Sequence, residues 1–191
     1  SRSSAASDVY KRQDWGNRNN VRIEKTETFT LNDERVSSSR IRNCLTSDDF
    51  ESAKELLGRP YKFHGKVVYG QQLGRTLGVP TANLWLPRNK LPISGVYIVN
   101  VEFEKRVYGG IANMGIRPTV GGQNQVLEVH IFNFSGSLYG KKINVEFLKK
   151  IREEKKFNGL DELKEQIFKD IAFAKQYLSL IHISEPTRRY A

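Results

Sequence analysis

From residue 61 onwards, the apolar residues of this chain recur mainly at every second position, with glycines and prolines between the runs. This period is typical of β-strands that bury one face. No helical pattern separates the runs, so the strands are expected to pair antiparallel in a barrel or a sandwich. The predicted fold class is therefore mainly β, with strands at residues 61–69, 95–103, 106–112, 125–134 and 143–150.

A helix is expected to follow these strands. Asp161 and Glu162 would lie in its first turn, where acidic side chains interact favourably with the helix dipole. Its apolar residues step by three or four positions, at Leu160, Leu163, Ile167, Ile171, Ala174 and Leu178. The folded part of the chain is thus expected to close with a helix.

Size and composition exclude several classes of protein. The 191 residues suffice for one domain of ordinary size with flanking segments. Cys44 is the only cysteine, so an internal disulfide is excluded and a cytoplasmic location is expected. No apolar run reaches the ~18 to 20 residues of a membrane helix, so no membrane partner is expected. The formal charge of +10 favours anionic partners without choosing between nucleotides and nucleic acid.

Residues 70–83 read Gly-Gln-Gln-Leu-Gly-Arg-Thr-Leu-Gly-Val-Pro-Thr-Ala-Asn. Glycines leave backbone N–H groups uncovered for anionic oxygens, and Arg75 adds a positive charge. The stretch is not a P-loop, because it has three residues between its first two glycines and arginine in place of lysine. Turn formation is the alternative role of such glycines. With the arginine, the pattern favours a phosphate-binding loop.

The end of this loop carries candidate metal ligands. The Thr81 hydroxyl and the Asn83 side-chain carbonyl are oxygen ligands of the kind that magnesium prefers. Magnesium takes its other ligands from water and phosphate, so two protein oxygens would suffice. A turn stabilised by short polar side chains is the alternative. The loop is therefore expected to bind a metal-bound nucleotide.

Glu128 lies in the middle of an apolar run that reads Val-Leu-Glu-Val-His-Ile-Phe over residues 126–132. Alternation places it on the same strand face as Val126 and His130. A carboxylate there can accept the proton of an attacking hydroxyl group. A solvent-facing strand residue would give the same pattern, so Glu128 alone leaves both interpretations open. His130 is expected to be a packed or hydrogen-bonded neighbour rather than the base.

Ordered blocks of the chain resemble riboflavin kinases. The glycine-containing loop that ends in Pro-Thr-Ala-Asn is similar to the signature of that family, and four more blocks follow in the same order over a span of about 59–178, at residues 109–119, 127–132, 138–141 and 147–152. The resemblance implies a six-stranded antiparallel barrel with a C-terminal helix. It also implies an enzyme that transfers the γ-phosphoryl group of ATP to the terminal ribityl hydroxyl of riboflavin, giving FMN and ADP.

The resemblance implies roles for individual residues. Thr81 and Asn83 match the Mg²⁺-binding motif, and Glu128 matches the catalytic base. The ATP-binding positions are Gly70, Gly74, Arg75, Gly78 and Thr81. Asn113 and Arg117 are candidates for flavin or phosphate contacts, although a structural turn also explains Arg117. The expected partners are riboflavin or FMN and ATP or ADP, with Mg²⁺ as cofactor and no nucleic acid.

An isoalloxazine ring needs apolar and aromatic walls. Phe134, Tyr139 and the residues near Phe157 are candidates for the flavin cleft, with core packing as the alternative for each.

The segment before the barrel also carries a resemblance. Residues 36–42, Val-Ser-Ser-Ser-Arg-Ile-Arg, are similar to the last motif of the FMN adenylyltransferase module that precedes the kinase in bacterial bifunctional FAD synthetases. A flexible linker is the alternative. The histidine-bearing nucleotide motif of that module is missing, since the earliest histidine is His64, so FAD synthesis is not expected.

These observations predict the domain organisation. One strand is expected at residues 21–31, and a linker helix with a capping box at Thr46 and Asp49 is expected before the barrel. The expected segments are a non-native tail at 1–13, a remnant of an α/β nucleotidyltransferase module at 14–46, the linker helix at 47–58, the kinase domain at 59–178 and a second non-native tail at 179–191.

Two other functions stay open. A nucleic-acid-binding barrel would place aromatic side chains among basic ones on a strand face, and the β-strand that begins near Tyr61 offers a weak version with Phe63, Tyr69, Lys62 and Lys66. A flavin-binding protein without kinase activity would share the flavin cleft. The oligomeric state does not follow from the sequence.

Overall fold

The structure is a computed structural model that describes residues 2–24, 27–70, 73–86, 91–119 and 122–184, with side chains described over 10–24, 27–70, 74–86, 91–116 and 125–181. It divides into two compact units, Ser1–Val36 and Ser37–Ala191. Each unit has its own secondary structure.

The first unit contains helix α1 (Arg2–Arg18) and a short hairpin of strands β1 (Thr30–Leu31) and β2 (Glu34–Arg35). Asn32 and Asp33 form the hairpin turn with φ angles of 53° and 60°, the left-handed conformation that two-residue hairpin turns require. The strand expected over 21–31 is therefore limited to its last two residues. The alternation further upstream has no neighbouring strand with which to pair in the described part of this unit.

The second unit is built around a closed antiparallel barrel whose strand order is β3-β4-β7-β6-β5-β8. The strands are β3 (Lys62–Val68), β4 (Ala82–Leu84), β5 (Gly95–Phe103), β6 (Arg106–Thr119), β7 (Gly122–Ile131) and β8 (Lys142–Arg152). A one-turn helix α4 (Leu73–Thr76) lies between β3 and β4, and helix α5 (Leu160–Ser184) follows β8. The expected six-stranded barrel with a C-terminal helix is confirmed.

The sequence missed β4 and α4. No strand was expected at residues 80–83, where a turn was the alternative to a metal-binding loop, but Ala82–Leu84 pairs with β3 on one side and β7 on the other. Three residues are too few to show a period of two, so this strand is stabilised by its two neighbours rather than by its own pattern. Helix α4 has only four residues, and its Leu-Gly-Arg-Thr sequence gives no helical signal.

The barrel strands alternate between an inner and an outer face. Inward-facing side chains fill one apolar cluster that includes Val67, Val99, Val101, Met114, Leu127, Val129, Ile143 and Val145. A second cluster forms on the outside, where α5 packs against the barrel, and includes Val79, Ile98, Ile111, Phe132, Ile171, Ala174 and Leu178. Helix α5 therefore covers part of the outer surface of β5, β6 and β7.

Helix α5 begins at Leu160 with Asp161 and Glu162 in its first turn, as expected. Glu162 accepts hydrogen bonds from the backbone and side-chain nitrogens of Asn158, at 3.1 and 3.4 Å, and so satisfies a donor at the helix start. The helix continues to Ser184, beyond the expected end of its apolar pattern. No helix in the described ranges is both long and apolar enough to cross a bilayer.

Two helices, α2 (Ser38–Thr46) and α3 (Phe50–Leu57), precede the barrel where one linker helix was expected. The N-cap of α3 is Asp49, whose carboxylate accepts a hydrogen bond from the Ser52 N–H at 3.0 Å. The expected capping box at Thr46 is wrong, because Thr46 is the last residue of α2 and its hydroxyl donates to the Arg42 carbonyl. Gly58 ends α3 in the left-handed conformation, with φ of 66°.

These two helices contribute Leu45, Phe50 and Ala53 to the barrel core, and Phe50 is the aromatic one. Phe50 packs among Tyr61, Tyr97 and Phe147, at ring-centroid distances of 6.4, 5.8 and 6.1 Å. The Tyr97 hydroxyl donates to the Asp48 carboxylate at 2.8 Å, in the turn between the helices. Because aromatic rings bury a large area, Phe50 is expected to supply much of the free energy that holds α3 on the barrel.

Phe50→Ala should lower the free energy of unfolding of the full chain by ~3–5 kcal/mol, the usual cost of removing a buried aromatic side chain. Phe168→Ala is the matched control, since Phe168 is 49% exposed on α5. Urea denaturation followed by circular dichroism measures both. Equal small losses for the two variants would show that α3 does not depend on this contact.

Candidate functional site

The site begins with the strand register on the outer face of the barrel. Asn83 of β4 lies opposite Glu128 of β7, and Glu128 lies opposite Asn113 of β6. Directly opposed residues of antiparallel strands point to the same face, with Cβ atoms about 4.5–5.5 Å apart. The strand neighbours of Glu128, Leu127 and Val129, are in the inner cluster, so this row of three polar side chains faces outwards.

Thr81 joins the row from the segment that leads into β4. It precedes Asn83 by two residues, and alternation places both on the same face. Next to Glu128 on that face, His130 lies with its Nδ1 2.8 Å from the Pro80 carbonyl oxygen. Because a carbonyl can only accept, this nitrogen carries the proton and donates the hydrogen bond. The structure thus brings Thr81, Asn83 and Glu128 together on one face.

Two glycines allow the preceding loop to lie directly over these side chains. A Cβ at Gly70 would overlap the side-chain amide of Asn83. A Cβ at Gly74 would overlap the Val79 carbonyl and come within 3.2 Å of the Thr81 hydroxyl oxygen. Glycine at these positions therefore permits the close approach of the backbone to both candidate metal ligands.

Gly78 has a different local role. Its φ of 79° is left-handed, and its N–H donates to the Arg75 carbonyl at 3.2 Å within the turn that follows α4. That N–H is already used, so Gly78 forms a turn and does not present its amide to an anion in this conformation. Arg75 is exposed and lines the first of the cavities described next.

Two cavities meet at Thr81. The first has a volume of about 410 Å³ and is lined by Arg75, Thr81, Val129, Phe134, Leu138 and Tyr139, among others. The second has a volume of about 320 Å³, lies between the barrel and α5, and is lined by Thr81, Asn113, Glu128, His130, Phe157 and Ile167, among others. Both volumes lie in the range of small-molecule sites, roughly 300–1,000 Å³. Thr81 is a shared wall residue.

The sequence placed Phe134, Tyr139 and Phe157 around one cleft. Phe134 and Tyr139 line the first cavity, whereas Phe157 lines the second. The side chain of Arg117 lies outside the described residues, although its backbone belongs to β6. The single cleft is therefore replaced by two cavities on either side of Thr81.

An ion pair that the sequence analysis missed orders the wall of the second cavity. The Arg152 guanidinium donates through Nε and Nη2 to Asp170 at 2.9 and 2.8 Å, and Asp170 is only 3% exposed. Gln166 donates to the second oxygen of that carboxylate at 2.9 Å, and the Phe157 ring lies 5.6 Å from the guanidinium. A basic residue at a strand end is usually solvated, so nothing local signalled this contact between β8 and α5.

The second cavity contains a buried polar atom without a hydrogen bond to any described residue. The side-chain oxygen of Asn113 is buried and makes no hydrogen bond within the part of the chain that the structure describes. Leaving a buried acceptor unsatisfied costs about 1–3 kcal/mol. A ligand with an N–H or O–H group beside Asn113 would remove that cost.

The donor set suits magnesium rather than zinc. No cluster of three or more histidine, cysteine or acidic side chains occurs among the described residues. The hydroxyl of Thr81 and the amide oxygen of Asn83 are neutral hard oxygens, and magnesium commonly completes such a site with phosphate and water. The Thr81 hydroxyl, which lines both cavities, therefore fits an ion that arrives with a phosphorylated substrate, whereas Asn83 is 6% exposed and lines neither cavity.

His130 is a weakly basic, hydrogen-bonded neighbour of Glu128. Burial lowers its pKa below the ordinary value of 6.5, and the nearby Lys175 charge acts in the same direction. The imidazole is therefore neutral near pH 7, with its Nδ1 proton directed to the Pro80 carbonyl. The expectation of a hydrogen-bonded neighbour agrees with this geometry.

Gly70→Ala should destabilise the barrel by about 1–3 kcal/mol, because the added methyl group must displace the buried Asn83 amide. Gly159→Ala is the control: nothing lies within 4 Å of its Cβ position. Thermal denaturation of both variants checks the difference. A Gly70→Ala variant as stable as Gly159→Ala would contradict the close packing of this loop.

Comparison with known proteins places this architecture in a family. The family model described as riboflavin kinase matches residues 57–178. The chain is 48% identical over 158 residues to a bifunctional riboflavin kinase/FMN adenylyltransferase from Haemophilus influenzae, covering 82% of this chain and 51% of the relative. It is 45% identical over 159 residues to the protein of that description from Escherichia coli K12, covering 83% and 51% of the two chains.

A solved structure shares the fold. The crystal structure described as a macrolide-efflux protein from Streptococcus pneumoniae superposes with a TM-score of 0.69 at 36% identity, covering 78% of this chain and 50% of that one. The chain spans about half the length of the curated relatives it matches. With the family model covering more than half of its residues, the chain belongs to the riboflavin kinase family.

Proposed function

We propose that this chain phosphorylates the 5′-hydroxyl of the ribityl group of riboflavin, using ATP and Mg²⁺, and releases FMN and ADP. Family membership implies riboflavin and ATP as substrates. The observation that carries the residue-level proposal is the register of β4, β7 and β6, which aligns Asn83, Glu128 and Asn113 beside Thr81.

The second cavity is assigned to riboflavin because Glu128 lines it. A general base must reach the hydroxyl whose proton it accepts, so the ribityl chain must extend to Glu128. The apolar side chains of Phe157 and Ile167 suit a flat ring system in the same cavity. The unsatisfied oxygen of Asn113 can accept a hydrogen bond from a donor group of the ligand.

The first cavity is assigned to ATP. Arg75 brings a positive charge to its edge, and apolar residues such as Val129 and Leu138 line its interior. Thr81 is the residue common to both cavities, which is where the transferred phosphoryl group must cross. This arrangement supports in-line transfer between two separately bound substrates.

We assign a role in the reaction to each of the following site residues. Glu128 accepts the proton of the ribityl hydroxyl as that oxygen attacks the γ-phosphorus. Thr81 and Asn83 hold Mg²⁺ through their side-chain oxygens, and Arg75 contacts phosphate oxygens. The ion, when bound, supplies positive charge against the charge on the phosphate oxygens. Gly70 and Gly74 keep the loop close to Asn83 and Thr81.

The strand-face pattern that supported the nucleic-acid alternative is weakened. Tyr61 and Phe63 pack partly buried against the inner cluster, so they do not form an exposed stacking surface. Lys62 lies within 3.6 Å of Glu102 and 3.5 Å of Glu146, which reduces its positive field. Tyr69 stacks on Tyr139 at 4.1 Å. A flavin-binding protein without kinase activity would have the same geometry, and the assay of FMN formation described below distinguishes the two functions.

The second activity of the bifunctional relatives is not proposed for this chain. The segments expected at residues 1–13, 14–46 and 179–191 are not tested by the structure. These assignments, and the barrel domain boundary at residue 59, stay predictions. The magnesium ligands and the catalytic base are likewise proposals that the following assays test.

Incubation of the full chain with riboflavin, ATP and Mg²⁺ should form FMN, separated by chromatography. Glu128→Gln should lower kcat by ~10²–10⁴-fold, because the amide cannot accept the proton. Glu146→Gln is the matched control, since Glu146 lies on β8, forms an ion pair with Lys62 of β3 and lines neither cavity described above. No FMN from folded wild-type protein, or undiminished kcat in Glu128→Gln, would refute the proposal.

Thr81→Val keeps the shape of the side chain and removes the hydroxyl oxygen. The Mg²⁺ concentration for half-maximal rate should rise by ~10–100-fold, while the riboflavin KM changes little. Thr76→Val, in α4, serves as a control because Thr76 lines neither cavity described above. An unchanged Mg²⁺ requirement in Thr81→Val would exclude the hydroxyl as a ligand.

A further inference from the structure

His130 lies on the proposed active face, but no step of the proposed reaction uses it. It lies two residues from Glu128 on β7, lines the second cavity and is half-buried. Its side chain makes a hydrogen bond across 50 residues of sequence, from Nδ1 to the Pro80 carbonyl oxygen at 2.8 Å. Because the acceptor is the carbonyl oxygen of the residue before Thr81, this hydrogen bond can influence the position of Thr81.

The Pro80 carbonyl belongs to the peptide plane that leads into Thr81. The atoms of a peptide unit, from one Cα through C, O, N and H to the next Cα, are held in one plane by resonance. A donor that fixes the Pro80 oxygen therefore also fixes the position of the Thr81 Cα. The direction of the Thr81 hydroxyl depends on that position.

The ladder of β4 does not reach this peptide. Strand β4 begins at Ala82, and Pro80 has no N–H with which to join a ladder. From the other side, the Val79 N–H donates to the Gly74 carbonyl at 2.8 Å. The Pro80–Thr81 peptide thus lies between the backbone contact of Val79 with α4 and the start of β4. The His130 side chain donates to this peptide from the neighbouring strand.

The imidazole is itself held in place. Its ring makes an edge contact with Phe132, with centroids 5.7 Å apart and planes at 65°. The backbone of His130 pairs with Ile111 in β6. A side chain on a paired strand with a packed ring can define the position of its hydrogen-bond partner.

We propose that His130 is a positioning residue whose Nδ1–H, donated to the Pro80 carbonyl, orients the Pro80–Thr81 peptide and so directs the Thr81 hydroxyl to the junction of the two cavities. The proposal rests on the proposed function, because Thr81 is taken to act on the metal-bound nucleotide. It assigns to His130 neither proton transfer nor direct contact with the phosphates.

The tautomer of His130 tests this without an activity measurement. Long-range ¹H–¹⁵N NMR spectra of the full chain, with His130→Asn used to assign the signals, distinguish a protonated Nδ1 from a protonated Nε2. The expected result near pH 7.5 is the Nδ1–H tautomer. An Nε2–H tautomer would overturn the proposal, because that form has no Nδ1 proton to donate.

Two substitutions of His130 separate the effect of the donor's position from the effect of losing the imidazole ring. Asparagine places its amide nitrogen at the distance of Nδ1 from the backbone, whereas glutamine places it further out, at the distance of Nε2. His130→Gln should raise the KM for Mg·ATP by about tenfold and the riboflavin KM by less than about twofold. His130→Asn should restore the Mg·ATP KM to within about threefold of the wild type, because its donor still reaches the Pro80 carbonyl.

His64→Gln is the matched control. His64 is exposed on β3, its Nδ1 lies 2.6 Å from the Asn144 side-chain oxygen, and it lines neither cavity described above. Its kinetics should equal those of the wild type. Equal losses in His130→Asn and His130→Gln, or a change confined to the riboflavin KM, would overturn the positioning role.

The two proposals fail in different ways. An inactive but folded wild-type chain would refute the kinase function, and the tautomer measurement would still decide whether His130 holds the Pro80 peptide. If His130→Gln does not fold, the NMR result on the wild type and the kinetics of His130→Asn decide the matter. Normal wild-type kinetics with an Nε2–H imidazole would refute the positioning role alone.

Discussion

The candidate site depends on the antiparallel register of three strands. Strand β4 has three residues, yet it sets Asn83 opposite Glu128, while β6 sets Asn113 on the other side of the same carboxylate. Because side chains alternate between faces, a slip of one residue in β4 would turn Asn83 into the barrel and Leu84 out of it. Burial of Leu84, at 3% exposure, opposes that slip. Apolar packing inside the barrel therefore determines which polar atoms meet outside it.

Two polar side chains beside the second cavity, Asp170 and Asn113, differ in how their buried hydrogen-bonding groups are satisfied. Asp170 is buried, and its charge is matched by Arg152 and by the Gln166 amide. Replacing such a matched pair with apolar residues is often neutral for stability, so its value lies in the geometry it imposes. Here it fastens α5 to the end of β8, and α5 forms the outer wall of the second cavity. Asn113, by contrast, has a buried side-chain oxygen without a hydrogen bond to any described residue, which is a cost that a bound ligand can remove.

Much of the fold was predictable because its strands carry their own signal. Strand β8 alternates clearly and strand β5 is a nearly continuous apolar run, so their predicted bounds agree with the observed ones to within two residues. β4 was not predictable, since a three-residue strand has no measurable period. In the site, Thr81, Asn83 and Glu128 were identified from residue type and from the family resemblance. Arg152 and Asp170 were not, because the residues are 18 positions apart on different elements and neither has a local pattern.

The sequence by itself determined the period of the strands, the start of the closing helix, the glycines of the loop and the chemical types available at the site. Only the tertiary structure decided that the candidate ligand-binding residues line two cavities rather than one, that the Pro80 carbonyl meets the His130 side chain, and that the polar row faces outwards. The physical reason is the sequence distance over which each kind of interaction acts. Local patterns specify backbone conformation over a few residues, whereas closure of the barrel decides which distant strands become neighbours.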